Sequence, residues 1–185
     1  SLFIVMHHST NNGRLSGVLV SIGHGIGIAF YAIIVILGLS FITVYLPDLN
    51  VYLSIFGSLF LFYIGFMQLI KTYKDYSISV RIKLNKNLQY FIQGFLVSII
   101  NPKISIFFFG VFSQFINYKY DIFTKIFLGF TAGLVDILWY LFICIILTSS
   151  FFSKLLKSKL KIINRICGIV LIIFSLILLS GIFFR

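Results

Sequence analysis

Five long apolar runs dominate this sequence of 185 residues and constrain its fold more than any other feature. They cover roughly residues 17–46, 51–70, 88–116, 122–152 and 162–184. About 20 mostly apolar residues are enough for a helix to cross a bilayer core of ~30 Å. The runs are continuous rather than alternating, and backbone groups in lipid must pair internally, so helices are favoured over a barrel. The sequence therefore predicts a single all-α integral membrane domain over residues 1–185 with five hydrophobic spans.

Charged residues are few and unevenly placed along the chain. Only 10% of the residues are charged, whereas about 25% is usual in soluble proteins. The net charge is +11, and segments 71–87 and 153–165 carry five Lys or Arg residues each. Basic residues beside apolar spans are typical of cytoplasmic loops and of contacts with anionic lipid headgroups. We therefore predict a multi-pass protein with cytoplasmic loops at 71–87 and 153–165, and no nucleic-acid partner.

The tripeptide Asn101-Pro102-Lys103 interrupts the third apolar run. Proline lacks an amide proton and clashes with the carbonyl four residues earlier, so a helix kinks or breaks there. A free backbone and a cation are tolerated at membrane depth only where they line a cavity or are buried in protein. We predict that Asn101, Pro102 and Lys103 bind substrate at a broken helix. The alternative is a simple kink whose lysine extends to the membrane interface.

Asp136 is the only acidic residue deep within a predicted span. A carboxylate at that depth suits a substrate ammonium group or a transported proton, because buried ionisable groups in membranes are expensive and functional. We therefore include Asp136 in the predicted substrate site. The alternatives are a neutral carboxyl in helix packing and an ion pair with Lys103. His24, between two glycines, is more typical of a hydrogen-bonded packing residue.

Closely spaced glycines mark two of the spans. Gly23, Gly25 and Gly27 lie in the first, and Gly129 and Gly133 in the fourth. Small residues at this spacing let helix backbones approach each other, so we predict a packing or gating role. The sequence shows no nucleophile–base pair, carboxylate pair or metal-ligand cluster. It therefore predicts neither an enzyme nor a bound cofactor or metal.

The chain resembles the lysine exporter family of amino-acid exporters, including its homoserine/threonine efflux branch. The core match is residues 91–103, with Gly94 ahead of Asn101-Pro102-Lys103, and the Phe-rich residues 106–115 that follow. Four further stretches agree in order: Gly13-Arg14-x-x-Gly17 with Gly23-x-Gly25-x-Gly27, Tyr63-Ile64-Gly65-Phe66, Asp136-x-x-Trp139-Tyr140 and Arg165-x-x-Gly168.

The resemblance implies a six-helix plan of two inverted triplets that exports amino acids or related metabolites across the inner membrane. Proton antiport is the implied energy source. A domain of only six helices is also compatible with a homodimer. Residues 1–6 resemble only the end of the family's first helix, so we expect an N-terminally incomplete transporter domain. A non-transporting scaffold or subunit, or a truncated inactive transporter, is the alternative function.

Overall fold

The computed structural model describes residues 2–70, 85–115, 119–147 and 150–183. These residues form seven helices and no strand, so the predicted all-α class is confirmed. The helices are α1 (Leu2–Asn11), α2 (Arg14–Tyr45), α3 (Pro47–Ile70), α4 (Lys86–Ile100), α5 (Pro102–Phe115), α6 (Ile122–Leu147) and α7 (Ser150–Phe183).

Four stretches within these helices are long and apolar enough to cross a membrane. They are Arg14–Tyr45, Val51–Ile70, Ile122–Ile146 and Lys161–Ile182. A bent pair of shorter helices, Lys86–Ile100 and Lys103–Ser113, supplies a fifth span if the pair crosses as one. Large apolar side chains such as Phe41 and Trp139 are exposed on the outside. These faces are what a chain surrounded by lipid is expected to present.

Local sequence signals explain most helix ends. Gly13 has a φ of +90° and separates α1 from α2, a conformation that glycine adopts without strain. Asn85 caps α4 by accepting a hydrogen bond from the amide of Asn87. The predicted spans 17–46 and 51–70 leave residues 47–50 between them, yet these residues are already helical. Leu46 alone separates α2 from α3, because Pro47 is well suited to the first position of a helix.

The prediction of a loop over residues 153–165 is wrong. This segment is helical and forms the N-terminal part of α7, which runs unbroken from Ser150. No proline or glycine occurs between Ser150 and Cys167, and leucine and lysine are good helix formers. The lysines interrupt the apolar sequence, but they do not interrupt the helix. The other basic segment, 71–87, lies outside the described residues up to position 84, and the cytoplasmic side of both segments stays a prediction.

The contacts divide the chain into two compact units. The first is made from Ser1–Ala32, Lys74–Asn101 and Phe127–Ser158, and the second from Ile33–Tyr73, Pro102–Ile126 and Lys159–Arg185. In the first unit, α2 packs against both α4 and α6. In the second, α3 packs against α5 at Gly57 and Gly110, and against α7 at Gly65 and Gly168. The prediction of one domain with two inverted triplets stays a prediction.

Candidate functional site

The predicted helix break lies at Asn101. There α4 ends with φ −78° and ψ 104°, an extended conformation that a following proline favours, and α5 begins at Pro102. The carbonyl of Ser98 has no intrahelical partner four residues ahead, because Pro102 carries no N–H. Ser98 is fully buried in the first unit. The break therefore leaves a carbonyl acceptor inside an apolar span.

Glycines bring α2 and α4 into backbone contact on the way to this break. A Cβ atom at Gly23 would overlap the carbonyl oxygen of Phe91, and one at Gly27 would overlap the hydroxyl of Ser98. From the opposite side, a Cβ at Gly94 would overlap the carbonyl oxygen of Val20. The two helices are therefore packed as closely as their backbones allow. Gly27 holds the last turn of α4 against α2.

A second close approach joins α2 to α6. A Cβ at Gly133 would lie 2.5 Å from the Cβ of Ala29 and 2.5 Å from the carbonyl oxygen of Gly25. A Cβ at Gly25 would in turn overlap the side chain of Ile137. Gly129 is also buried on α6. Small residues on both helices thus set the distance between the helix axes. Side chains next to these residues on the facing surfaces come within hydrogen-bonding distance of each other.

The close approach brings His24 of α2 to Asp136 of α6. Nδ1 of the imidazole lies 2.6 Å from Oδ2 of the carboxylate, an interaction across 112 positions of sequence. The His24 side chain is 2% exposed and the Asp136 side chain 20%. A short bond of this kind is typical of a charge-assisted hydrogen bond. Two ionisable groups are therefore paired between spans that are otherwise almost wholly apolar.

The other imidazole nitrogen points to chemistry beyond packing. Nε2 of His24 is buried and has no hydrogen-bond partner among the described residues. A carboxylate only accepts hydrogen bonds, so Nδ1 must carry the proton that is shared with Asp136. In the neutral imidazole, Nε2 is then an acceptor with a free lone pair. A buried acceptor without a donor is costly, and such atoms call for an explanation such as an exchangeable proton.

Aromatic and apolar side chains pack beside the pair, towards the N-terminal end of α2. The Tyr140 ring lies edge-on to the His24 ring, with centroids 5.0 Å apart. One turn earlier on α2, Val20 forms a fully buried cluster with Val5 and Cys144, against which Tyr140 also packs. This cluster covers one approach to the pair with apolar atoms. It lowers the local dielectric response and so strengthens the electrostatic interaction within the pair.

The predicted substrate-site residues are divided between the two units, and their joint role stays a prediction. Asp136 lies in the first unit with Asn101, whereas Pro102 and Lys103 belong to the second, and the Lys103 side chain is exposed. The ion-pair partner found for Asp136 is His24. Sequence reasoning assigned His24 to packing and did not pair it with Asp136. A usable signal was present, because His24 adjoins Gly25 and Asp136 follows Gly133 by three residues, and both glycines mark close helix approach.

Comparisons with known proteins identify the relatives of this chain. The profile of a family described as "LysE type translocator" matches residues 1–181. An "Uncharacterized membrane protein" of Haemophilus influenzae is 25% identical over 184 residues, which is 95% of this chain and 86% of that protein. "Uncharacterized membrane protein YrhP" of Bacillus subtilis is 27% identical over 184 residues, 94% of this chain and 87% of that protein. No solved structure gave a significant match.

Proposed function

Because the chain belongs to the family of LysE type translocators, we propose that it exports amino acids or closely related small metabolites by proton-coupled transport. The membrane proposed for this activity is the inner membrane, with the basic segments on the cytoplasmic side. Membership of a translocator family supports transport across a membrane in general. The substrate class, the coupling ion and the membrane are the finer parts of the proposal.

The observation that carries the proposal is the pair formed by His24 and Asp136. Ionisable groups buried between transmembrane helices are costly, and they mark ion and substrate pathways. The pair is held at 2.6 Å between α2 and α6, both of which contain candidate membrane spans. A purely structural contact between two such spans is easily made by apolar side chains. The presence of a titratable pair here favours a transporter whose cycle includes a proton.

The broken span is a second element that we propose to bind substrate. The end of α4 presents carbonyl oxygens, including that of Ser98, and the start of α5 presents amide donors. Helix ends of this kind bind charged groups of substrates in transporters with discontinuous helices. An amino acid at neutral pH carries one ammonium and one carboxylate group. We assign the ammonium to Asp136, and the prediction that Asn101, Pro102 and Lys103 bind substrate at the broken span is kept as a separate proposal.

The test is uptake and exchange of a mixture of the proteinogenic amino acids by proteoliposomes that contain the full chain. We expect a subset of amino acids to exchange, and a pH gradient to drive their accumulation. Asp136→Asn and Lys103→Ala should each lower the exchange rate by about tenfold or more, since loss of a charged hydrogen bond costs about 1.5–3 kcal/mol. Asp121→Asn and Lys161→Ala are the matched controls, because both side chains are exposed and lie at helix or span ends.

Full substrate-coupled activity in both Lys103→Ala and Asp136→Asn would remove the proposed site. Absence of amino-acid exchange by the wild-type chain, together with a stable cross-linked partner, would instead support the alternative of a membrane scaffold or subunit. The two results are distinct, because the first leaves transport intact and the second does not.

A further inference from the structure

The charge of the pair between α2 and α6 limits what it can bind. With His24 neutral and Asp136 ionised, the pair carries one negative charge. A proton on Nε2 of His24 brings the total to zero, and so does an ammonium group beside Asp136. Both cations together would leave one net positive charge between apolar spans. An uncompensated charge in that environment costs several kcal/mol, so double occupancy is strongly disfavoured.

The two cations would approach from different sides of the pair. Nε2 of His24 is buried and has no partner among the described residues, so this packing admits a proton there but not a larger group. The imidazole is 2% exposed, whereas the side chain of Asp136 is 20% exposed. The carboxylate is therefore the part of the pair that a substrate ammonium group can contact. The two positions are joined by the bond from Nδ1 to Oδ2.

We propose that the His24–Asp136 pair binds one cation at a time, either a proton on Nε2 of His24 or the ammonium group of a substrate at Asp136. This inference rests on the proposed function and deepens it, because mutual exclusion at one pair converts binding into proton antiport. Binding of substrate expels the proton, and return of the proton expels the substrate. No separate proton site or long-range conformational signal is needed for the exchange.

Few other titratable groups face His24. Asp136 and Tyr140 face it from α6, α4 approaches its backbone through Gly94, and α1 contributes Val5 to the cluster one turn away. The thiol of Cys144 in that cluster bonds instead to the hydroxyl of Ser9 and the carbonyl of Arg14. Glycine and valine cannot titrate, and tyrosine stays neutral at physiological pH. The proton that leaves on substrate binding is therefore assigned to the imidazole of His24.

The experiment follows the protonation of His24 directly. The chain has three histidines, so ¹⁵N-histidine labelling of the purified full chain gives a spectrum that single substitutions can assign. The probe is a saturating mixture of the proteinogenic amino acids. We expect the midpoint of His24 protonation to fall by at least one pH unit when the probe is present. Reciprocally, the apparent Kd should rise about tenfold per pH unit below the midpoint measured without probe.

His24→Gln separates this role from a structural one. Glutamine keeps a polar side chain but cannot accept a proton, so the amino-acid exchange that remains should no longer depend on pH, and a pH gradient should no longer drive accumulation. A merely structural histidine would instead lower exchange and accumulation by the same factor and leave their pH dependence in place. His8→Gln is the matched control, since His8 contacts Tyr90 rather than the pair and should leave both activities unchanged. If His24→Gln does not fold, the ¹⁵N titration of the wild-type chain still decides the question.

The outcomes also separate this inference from the proposed function. Amino-acid exchange that leaves the protonation of His24 unchanged would overturn the inference and keep the function. Ethylamine and putrescine, which lack a carboxylate, form a second probe. If they lower the protonation midpoint of His24 while no amino acid exchanges, the inference stands and the amino-acid substrate is wrong. If neither probe changes the midpoint, the inference is refuted.

Discussion

Replacing Gly133 with alanine tests whether close packing of α2 and α6 holds His24 against Asp136. The added Cβ would lie 2.5 Å from the Cβ of Ala29 and 2.5 Å from the carbonyl oxygen of Gly25. Carbon atoms pack at about 3.5 Å or more, so the helices must separate by about 1 Å. The bond from Nδ1 to Oδ2, now 2.6 Å, would lengthen to about 3.6 Å, which is no longer a hydrogen bond.

The free-energy change can be bounded from three effects. Overpacking a close helix contact costs about 1–3 kcal/mol, and losing a hydrogen bond between charged groups costs about 1.5–3 kcal/mol. These two costs are not additive, because separating the helices removes the overpacking but breaks the hydrogen bond. Alanine is favoured over glycine in a helix interior by about 1 kcal/mol, which opposes them. We therefore expect Gly133→Ala to lower the free energy of unfolding by about 1–3 kcal/mol.

Gly38→Ala is the matched control in α2, because no side chain or neighbouring helix lies within 4 Å of a Cβ placed there. It should leave the free energy of unfolding unchanged or raise it by up to about 1 kcal/mol. The assay is unfolding in mixed detergent micelles followed by the fluorescence of Trp139, the one tryptophan of the chain. The ¹⁵N shift of His24 reports whether the pair separates. Equal stabilisation by both substitutions would refute the packing argument.

Two further predictions concern contacts outside the pair. Ser175→Ala should lower the free energy of unfolding by about 1 kcal/mol, because the hydroxyl donates to the carbonyl of Ser58 on α3 at 2.7 Å. Ser180→Ala is its control, since that hydroxyl bonds within α7, and equal effects would contradict the prediction. Asp121 precedes α6 and accepts hydrogen bonds from the hydroxyl and amide of Thr124, which lower the pKa of its carboxyl. This helix cap therefore contributes stability at pH values above the ordinary carboxyl pKa, and the contribution is lost as pH falls through the lowered value. Thr124→Val should raise the pKa of Asp121 in a ¹³C titration, and an unchanged midpoint would refute the assignment to the hydroxyl.

The sequence was sufficient to predict features that depend on local chemistry. Apolar runs of about 20 residues or more predict the membrane spans, because transfer of each residue into lipid is nearly independent of its neighbours. Proline predicts the end of α4 at Ile100 and the extended Asn101, because its ring acts on the residues beside it. The prediction was wrong for the basic segment 153–165, because charged residues limit the part of a helix that lies in the membrane but do not end the helix itself.

The pairing of His24 with Asp136 could not be predicted in the same way. The two residues lie 112 positions apart, and the partner depends on which helix faces are in contact. The sequence suggested Lys103 as one alternative partner for Asp136, because a buried charge favours an opposite charge nearby. The structure instead follows the glycines, since Gly25 and Gly133 decide which backbones meet. The side chains next to those glycines then become partners.

One turn of α2 links the ion pair to the interrupted span. His24 contacts Asp136, and Gly27, three residues later, lies against Ser98 at the end of α4. Three residues rise about 4.5 Å along a helix axis, and a hydrogen-bonded turn cannot stretch to absorb movement. We therefore expect deprotonation of the His24 imidazole and movement of the α4 terminus to be coupled through this turn and to occur with one rate constant.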